Sequence, residues 1–325
     1  MHSSAVRTRR QTWLPVVSCS LSVIIAASGC STFTPASQHS AALATGSASG
    51  HASASPSPSP TPTVCARNAP GFPCEMRNRI KEIRGYLRHL PGSIGIVIYN
   101  RRNGATWQNA NADVAYPAAS TMKLAMMTDI LQRADAGSIS LTSADRQAMF
   151  QALYTSDDDD ANYLWDKYED GSFLSRIQKF GMTDARFTSS DPNWGFMYCT
   201  PRDLDNLINY VLNDAPASVR DYLVYRLQHV AALDQQWGVW GAGPENHPGN
   251  KDGWEQDGNI WITNTVGFAG PGQDYTMAIM YNLEGFGGVG DAGFQYGTNK
   301  LTQIASILFQ GHHTAAPTPQ ASAVP

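Results

Sequence analysis

The chain has 325 residues, 42% of them hydrophobic and 15% charged, with a formal net charge of −4. So mild a balance argues against nucleic acid as a partner, because the only arginine-rich stretch past the first residues, 75–90, reads as a solvated helix face. Eight histidines and five cysteines show no ligand spacing, so neither a metal nor another cofactor is expected.

The first 30 residues have the layout of a signal peptide: Arg7, Arg9 and Arg10, then an apolar run from Trp13 to Ala27, then Ser28-Gly29-Cys30. The run is shorter than the roughly 20 residues of a membrane span. Small residues ending on a cysteine resemble the lipobox of bacterial lipoproteins, which implies lipidation at Cys30. An ordinary secretory signal cut elsewhere is the alternative; both put the protein outside the cytoplasm, either anchored to the membrane by lipid alone or secreted. Thr8-Arg9-Arg10-Gln11 leaves twin-arginine export open beside the general route. Residues 31–64 are almost all Ser, Ala, Thr, Gly and Pro, a solvated tether without core formers. Residues 312–325 are a similar tail, so one domain is expected over 65–311. Cys65 and Cys74 flank a loop with two prolines and a glycine and are expected to pair in an oxidising compartment, leaving Cys199 free and buried.

Within that domain the pattern predicts a helix over 75–90, a β-branched strand over 94–99 and a hairpin turn at Arg101-Arg102-Asn103-Gly104 into Ala105–Gln108. Ser120-Thr121-Met122-Lys123 then opens a buried helix running through Leu131. Thr142 and Asp145 read as a helix cap for 146–154, and Ser156-Asp157-Asp158 follows. Lys251-Asp252-Gly253-Trp254 precedes two further strands, 260–268 and 275–281. Strands, a helical block and strands again predict an α+β fold. Its antiparallel sheet comes from both chain ends, flanked by helices and carrying an inserted helical lobe, with the site in the crevice between.

Ser120 and Lys123 carry the chemistry. Three residues apart on a helix, they share a face, so a neutral amine at 123 can take the proton of the hydroxyl at 120. Because that spacing arises readily by chance, its companions decide its meaning. Ser-x-x-Lys at 120, Ser-Asp-Asp at 156 and Lys-Asp-Gly at 251, with Thr200-Pro201-Arg202 opening a helix, resemble the class A β-lactamases and the related penicillin-binding DD-peptidases. The resemblance covers about Ser93 to Phe309 and implies a β-lactamase/transpeptidase-like fold. It implies that Ser120 forms an acyl-enzyme, Lys123 serves as base, Ser156 passes a proton to the leaving nitrogen and Lys251 holds that network. The backbone N–H groups of Ser120 and Trp254 would form the oxyanion hole, with Asp158, Asp252, Gly253 and Trp254 lining the substrate site. The implied partner is a β-lactam or a peptidoglycan-like amide, met by a monomer.

Three departures narrow this expectation. The stretch 187–199, where the family carries a water-activating glutamate, has none, which leaves Asp191, its only acid, as the candidate deacylation base. Asp158 and Asp252 replace Asn and Thr of the motifs and would repel an anionic substrate. The segment between Ser120 and Ser156 is also short, which lowers one wall of the groove. An acyl-enzyme that releases slowly follows from these changes; a non-catalytic envelope-binding lipoprotein and an esterase are the rivals. Asp159 and Asp160 read as a solvated turn.

Overall fold

The computed structural model describes residues 64–190, 192–286 and 290–311. In chain order its elements are α1 (Cys74–Leu87), β1 (Ser93–Asn100), β2 (Ala105–Gln108), β3 (Tyr116–Pro117) and α2 (Met122–Asp135). Then come α3 (Ser143–Tyr154), α4 (Asp158–Tyr168), α5 (Phe173–Ile177), β4 (Arg186–Phe187), β5 (Met197–Cys199), α6 (Pro201–Asn213), α7 (Ala217–Gln228) and α8 (Ala232–Gln235). The chain closes with β6 (Gly249–Asp257), β7 (Ile260–Ala269), β8 (Tyr275–Asn282) and α9 (Ala292–Phe309). The expected signal, the lipidation candidate Cys30, the expected tether through residue 63, Asp191 and the expected tail from 312 lie outside the described residues.

Five strands form an antiparallel sheet in the order β2-β1-β8-β7-β6. Both chain ends supply it, as the sequence pattern predicts. Because helices cover both faces, β1, β7 and β8 are buried nearly throughout, as central strands covered on both sides should be.

Alternation splits their side chains between two cores. Ile94, Ile96 and Ile98 of β1, with Met277, Ile279 and Tyr281 of β8, pack with α1 and α9. Ala278 and Met280 of β8, with Val266 and Phe268 of β7, pack against the lobe built from α2 to α7. Burial of so many large apolar groups on each face is the main force holding lobe and sheet together.

Local signals fix the lobe. Thr142 and Asp145 form a reciprocal capping box at the start of α3. Thr200 and Asp203 repeat it at α6, where Pro201 occupies the first turn, a position that needs no backbone donor. Asp157 caps α4 by accepting from the Asp160 N–H at 2.9 Å, and the acids of that first turn oppose the positive helix end. Cys65 and Cys74 are joined by a disulfide at the start of α1, and Cys199 is free and buried.

Candidate active site

Ser120 sits in a 3-10 turn, Ala119–Thr121, that runs directly into α2. The turn is tied down from three sides. The Asn264 side-chain amide donates to the Pro117 and Ala118 carbonyls at 2.8 and 3.2 Å, Ala118 N–H donates to Met197 O at 2.8 Å, and Thr121 Oγ1 donates to Ala118 O at 2.6 Å. Ala119 is held at φ +47°, a left-handed conformation that costs a residue with a Cβ on the order of 1 kcal/mol. Such strain persists only where the surroundings over-determine the backbone.

The edge strand β6 closes the other side. A Cβ at Gly253 would lie 2.6 Å from Thr121 N and 2.9 Å from Ser120 N, so only glycine lets the strand approach this closely. Lys251, one side-chain repeat back on the same face, is fully buried. Its ammonium donates to Ser156 Oγ at 2.9 Å, Gln235 Oε1 at 2.9 Å and Asp252 O at 2.7 Å. Ser156, in the loop before α4, is also left-handed, at φ +68°.

Lys123 completes the cluster from α2. Its Nζ donates to Ser156 O at 2.5 Å, to Ser156 Oγ at 3.3 Å and to Asp158 Oδ1 at 2.5 Å, and the Trp194 ring lies 4.5 Å away. Burial drives the pKa of Lys123 down, while the Asp158 charge pulls it back up. For Lys251 burial and then the charge of Lys123 both push down. Two amines thus converge on one hydroxyl, an arrangement in which a proton moves between them with little rearrangement.

The structure brings Ser120, Lys123, Ser156, Lys251, Asp158 and Gly253 together. It does not bring in the side chains of Asp252 and Trp254. In the β6–β7 pairing Asp252 stands opposite Thr265 and Trp254 opposite Thr263. Thr265 Oγ1 accepts from Val239 N–H at 3.2 Å, on the face covered by α9, and Trp254 packs edge-on against Trp237 and Phe294 there. Asp252 is therefore turned away from the groove, and burial raises its pKa well above the carboxylate range. Its effect on an anionic substrate cannot be the direct repulsion the motif implies. The Asp191 expectation falls on a residue outside the described ones.

Sequence reasoning missed several members of this site. Gln235 Oε1 accepts from both Lys251 Nζ and Asp252 N–H, each at 2.9 Å. Trp194, fixed by an Nε1 donation to Asn162 Oδ1 at 2.9 Å, covers Lys123. Asn264 anchors the Ser120 turn. None lies within a recognisable local motif; they meet the site only through the fold. Among the described residues no group of three His, Cys, Asp or Glu side chains is placed to hold a metal ion, and no helix is long and apolar enough to cross a membrane.

Comparison with known proteins agrees with this fold. A family model described as the Beta-lactamase enzyme family matches residues 76–144. No curated protein matches by sequence. Among solved structures, a β-lactamase from Xanthomonas campestris aligns with TM-score 0.60 at 17% identity, over 73% of this chain and 98% of that one. A class A β-lactamase from Bacteroides cellulosilyticus gives 0.59 at 15%, over 73% and 97%, and a β-lactamase from Sphaerobacter thermophilus gives 0.57 at 19%, over 72% and 97%. The chain therefore has the class A β-lactamase-like fold, with one segment of its sequence matching the β-lactamase enzyme family itself.

Proposed function

We propose that this protein is an exported serine hydrolase of the β-lactamase type, one that takes the acyl group of a β-lactam or a peptidoglycan-like amide onto Ser120. The observation that carries the reading is the position of Ser156 Oγ between Lys251 Nζ at 2.9 Å and Lys123 Nζ at 3.3 Å, beside the Ser120 turn. In this mechanism Ser120 Oγ bonds to the carbonyl carbon as its proton passes to the free amine of Lys123. The resulting oxyanion is held by the N–H groups of Ser120 and Trp254, donors of the kind worth about 3 to 4 kcal/mol each. The C–N bond then breaks as Ser156 hands its proton to the leaving nitrogen and is reprotonated by Lys123. The N-terminal sequence supports action outside the cytoplasm, with Cys30 as the lipid anchor.

A second reading, a binding protein of the cell envelope that keeps the fold without the chemistry, is favoured by one contact. Lys123 spends its amine on Asp158 and Ser156, not on Ser120. The two readings separate when the purified protein and its Ser120→Ala variant are incubated with a fluorescent penicillin and examined by intact mass spectrometry. We expect covalent mass addition on the wild type and none on the variant. No adduct from mildly acidic to mildly basic pH would sink the hydrolase reading, and saturable non-covalent binding in its place would support the second.

A further inference from the structure

An acyl group on Ser120 leaves only if a water is activated, and the segment 187–199 supplies no glutamate for that purpose. At Lys123 it supplies an indole instead. Of the acids already described, Asp158 is bonded to Lys123 and Asp252 points to the opposite sheet face. Glu255 is a further carboxylate on the strand that carries Lys251 and Gly253.

The register of β6 puts Glu255 on the Ser120 side. It stands opposite Ile262, in step with the pairs Lys251–Val266 and Gly253–Asn264. Those pairs face the lobe: Asn264 grips the backbone just before Ser120, and Gly253 presses on the Ser120 and Thr121 amides. Two residues along a strand advance about 7 Å. A glutamate side chain and one water bridge that separation. Glu255 is half-buried, and its carboxylate makes no ion pair or hydrogen bond among the described residues. Burial, and then Asp257 on the same strand, push its pKa up to about 7, where a carboxylate both accepts and returns a proton at neutral pH. Of the elements packed on β6, β7 and the Ala119–Thr121 turn carry no acid or base, and neither does the 3-10 turn Gly238–Ala242. The helix α8 brings Asp234, which acts on Lys251, and α7 brings Arg220, Asp221, Tyr222, Tyr225 and Arg226.

We propose that Glu255 is the general base that releases the acyl group from Ser120, an inference that rests on the acylation reading above. A water oxygen bonds to the ester carbonyl carbon while one of its protons passes to the Glu255 carboxylate. When the tetrahedral oxyanion collapses, the bond from carbon to Ser120 Oγ breaks. Oγ takes that proton back from Glu255, and the free acid departs.

The test follows the adduct with a fluorescent penicillin by intact mass after removal of excess reagent, in the wild type, Glu255→Gln, Glu255→Asp and Asp191→Asn. The expected result is an adduct on Glu255→Gln that outlives the wild-type one by about 10²-fold or more, the usual share of a general base. Glu255→Asp should fall between, and Asp191→Asn should match the wild type. Wild-type release should quicken as pH rises through about 7, and Glu255→Gln should lose that dependence. Release at the wild-type rate from Glu255→Gln overturns the proposal, as does a wild-type adduct that never releases or a loss of release in Asp191→Asn. Absence of any adduct on the wild type overturns the acylation reading as well, so the two failures are distinct.

Discussion

At the scale of single residues, the contest at Lys123 decides how the site works. A buried amine loses its proton readily because low-dielectric surroundings disfavour the ammonium. Asp158, where the family motif carries an amide, restores part of the preference for charge. Since the Asp158 side chain is 55% exposed, solvent weakens that pull, and the effect should be several-fold rather than orders of magnitude. In Asp158→Asn the amine of Lys123 should be free at lower pH. The pH profile of adduct formation should therefore shift towards acid, with a rate several-fold higher at neutral pH. A profile that does not move would mean that Lys123 is not the group whose deprotonation limits acylation.

At the scale of elements, β6 is where the proposed chemistry is assembled. Gly253 lets the strand lie against the amides of Ser120 and Thr121, and in the proposed mechanism the N–H of the next residue would belong to the oxyanion hole. Gly253→Ala should push the strand outward and slow acylation by about 10²-fold or more, the scale of losing one oxyanion donor. The buried clash should also lower the melting temperature, so acylation is compared where both proteins are folded. A Gly253→Ala protein that acylates normally would show that the strand does not shape the reacting centre.

The same strand marks the limit of what the sequence discloses. Capping boxes at Thr142 and Thr200 are legible because cap and partner lie three residues apart. The serine–lysine motif is legible for the same reason. The opposite faces that Asp252 and Glu255 occupy are not, because a shift of one residue in register exchanges the two faces. Only the pairing with β7 fixes it. Trp194 over Lys123 and Gln235 between Lys251 and Asp252 N–H come from distant segments, with no local pattern to announce them.

At the scale of the whole molecule, the lobe is held to the sheet across α6, which places Leu204, Leu207, Ile208 and Val211 in the core it shares with β7 and β8. An ionisable side chain, Asp205, lies within that contact. Asp205 is almost fully buried and accepts from the Thr276 hydroxyl of β8 at 2.6 Å. Burial outweighs this hydrogen bond and raises its pKa from 3.8 to about 6. The native state therefore holds the Asp205 proton more tightly than the unfolded chain does. The stability this contributes is complete below about pH 4 and is lost as pH rises through about 6. Asparagine keeps an acceptor for Thr276 and carries no charge to bury. Asp205→Asn should thus gain about 1 to 3 kcal/mol relative to the wild type between pH 4 and pH 7.5, because each tenfold difference in proton affinity between the folded and unfolded chain is worth about 1.4 kcal/mol. Denaturant unfolding of both proteins at the two pH values measures this gain directly. An equal difference at both would mean that Asp205 stays ionised in the fold, so that Thr276 and the nearby Arg202 charge outweigh its burial.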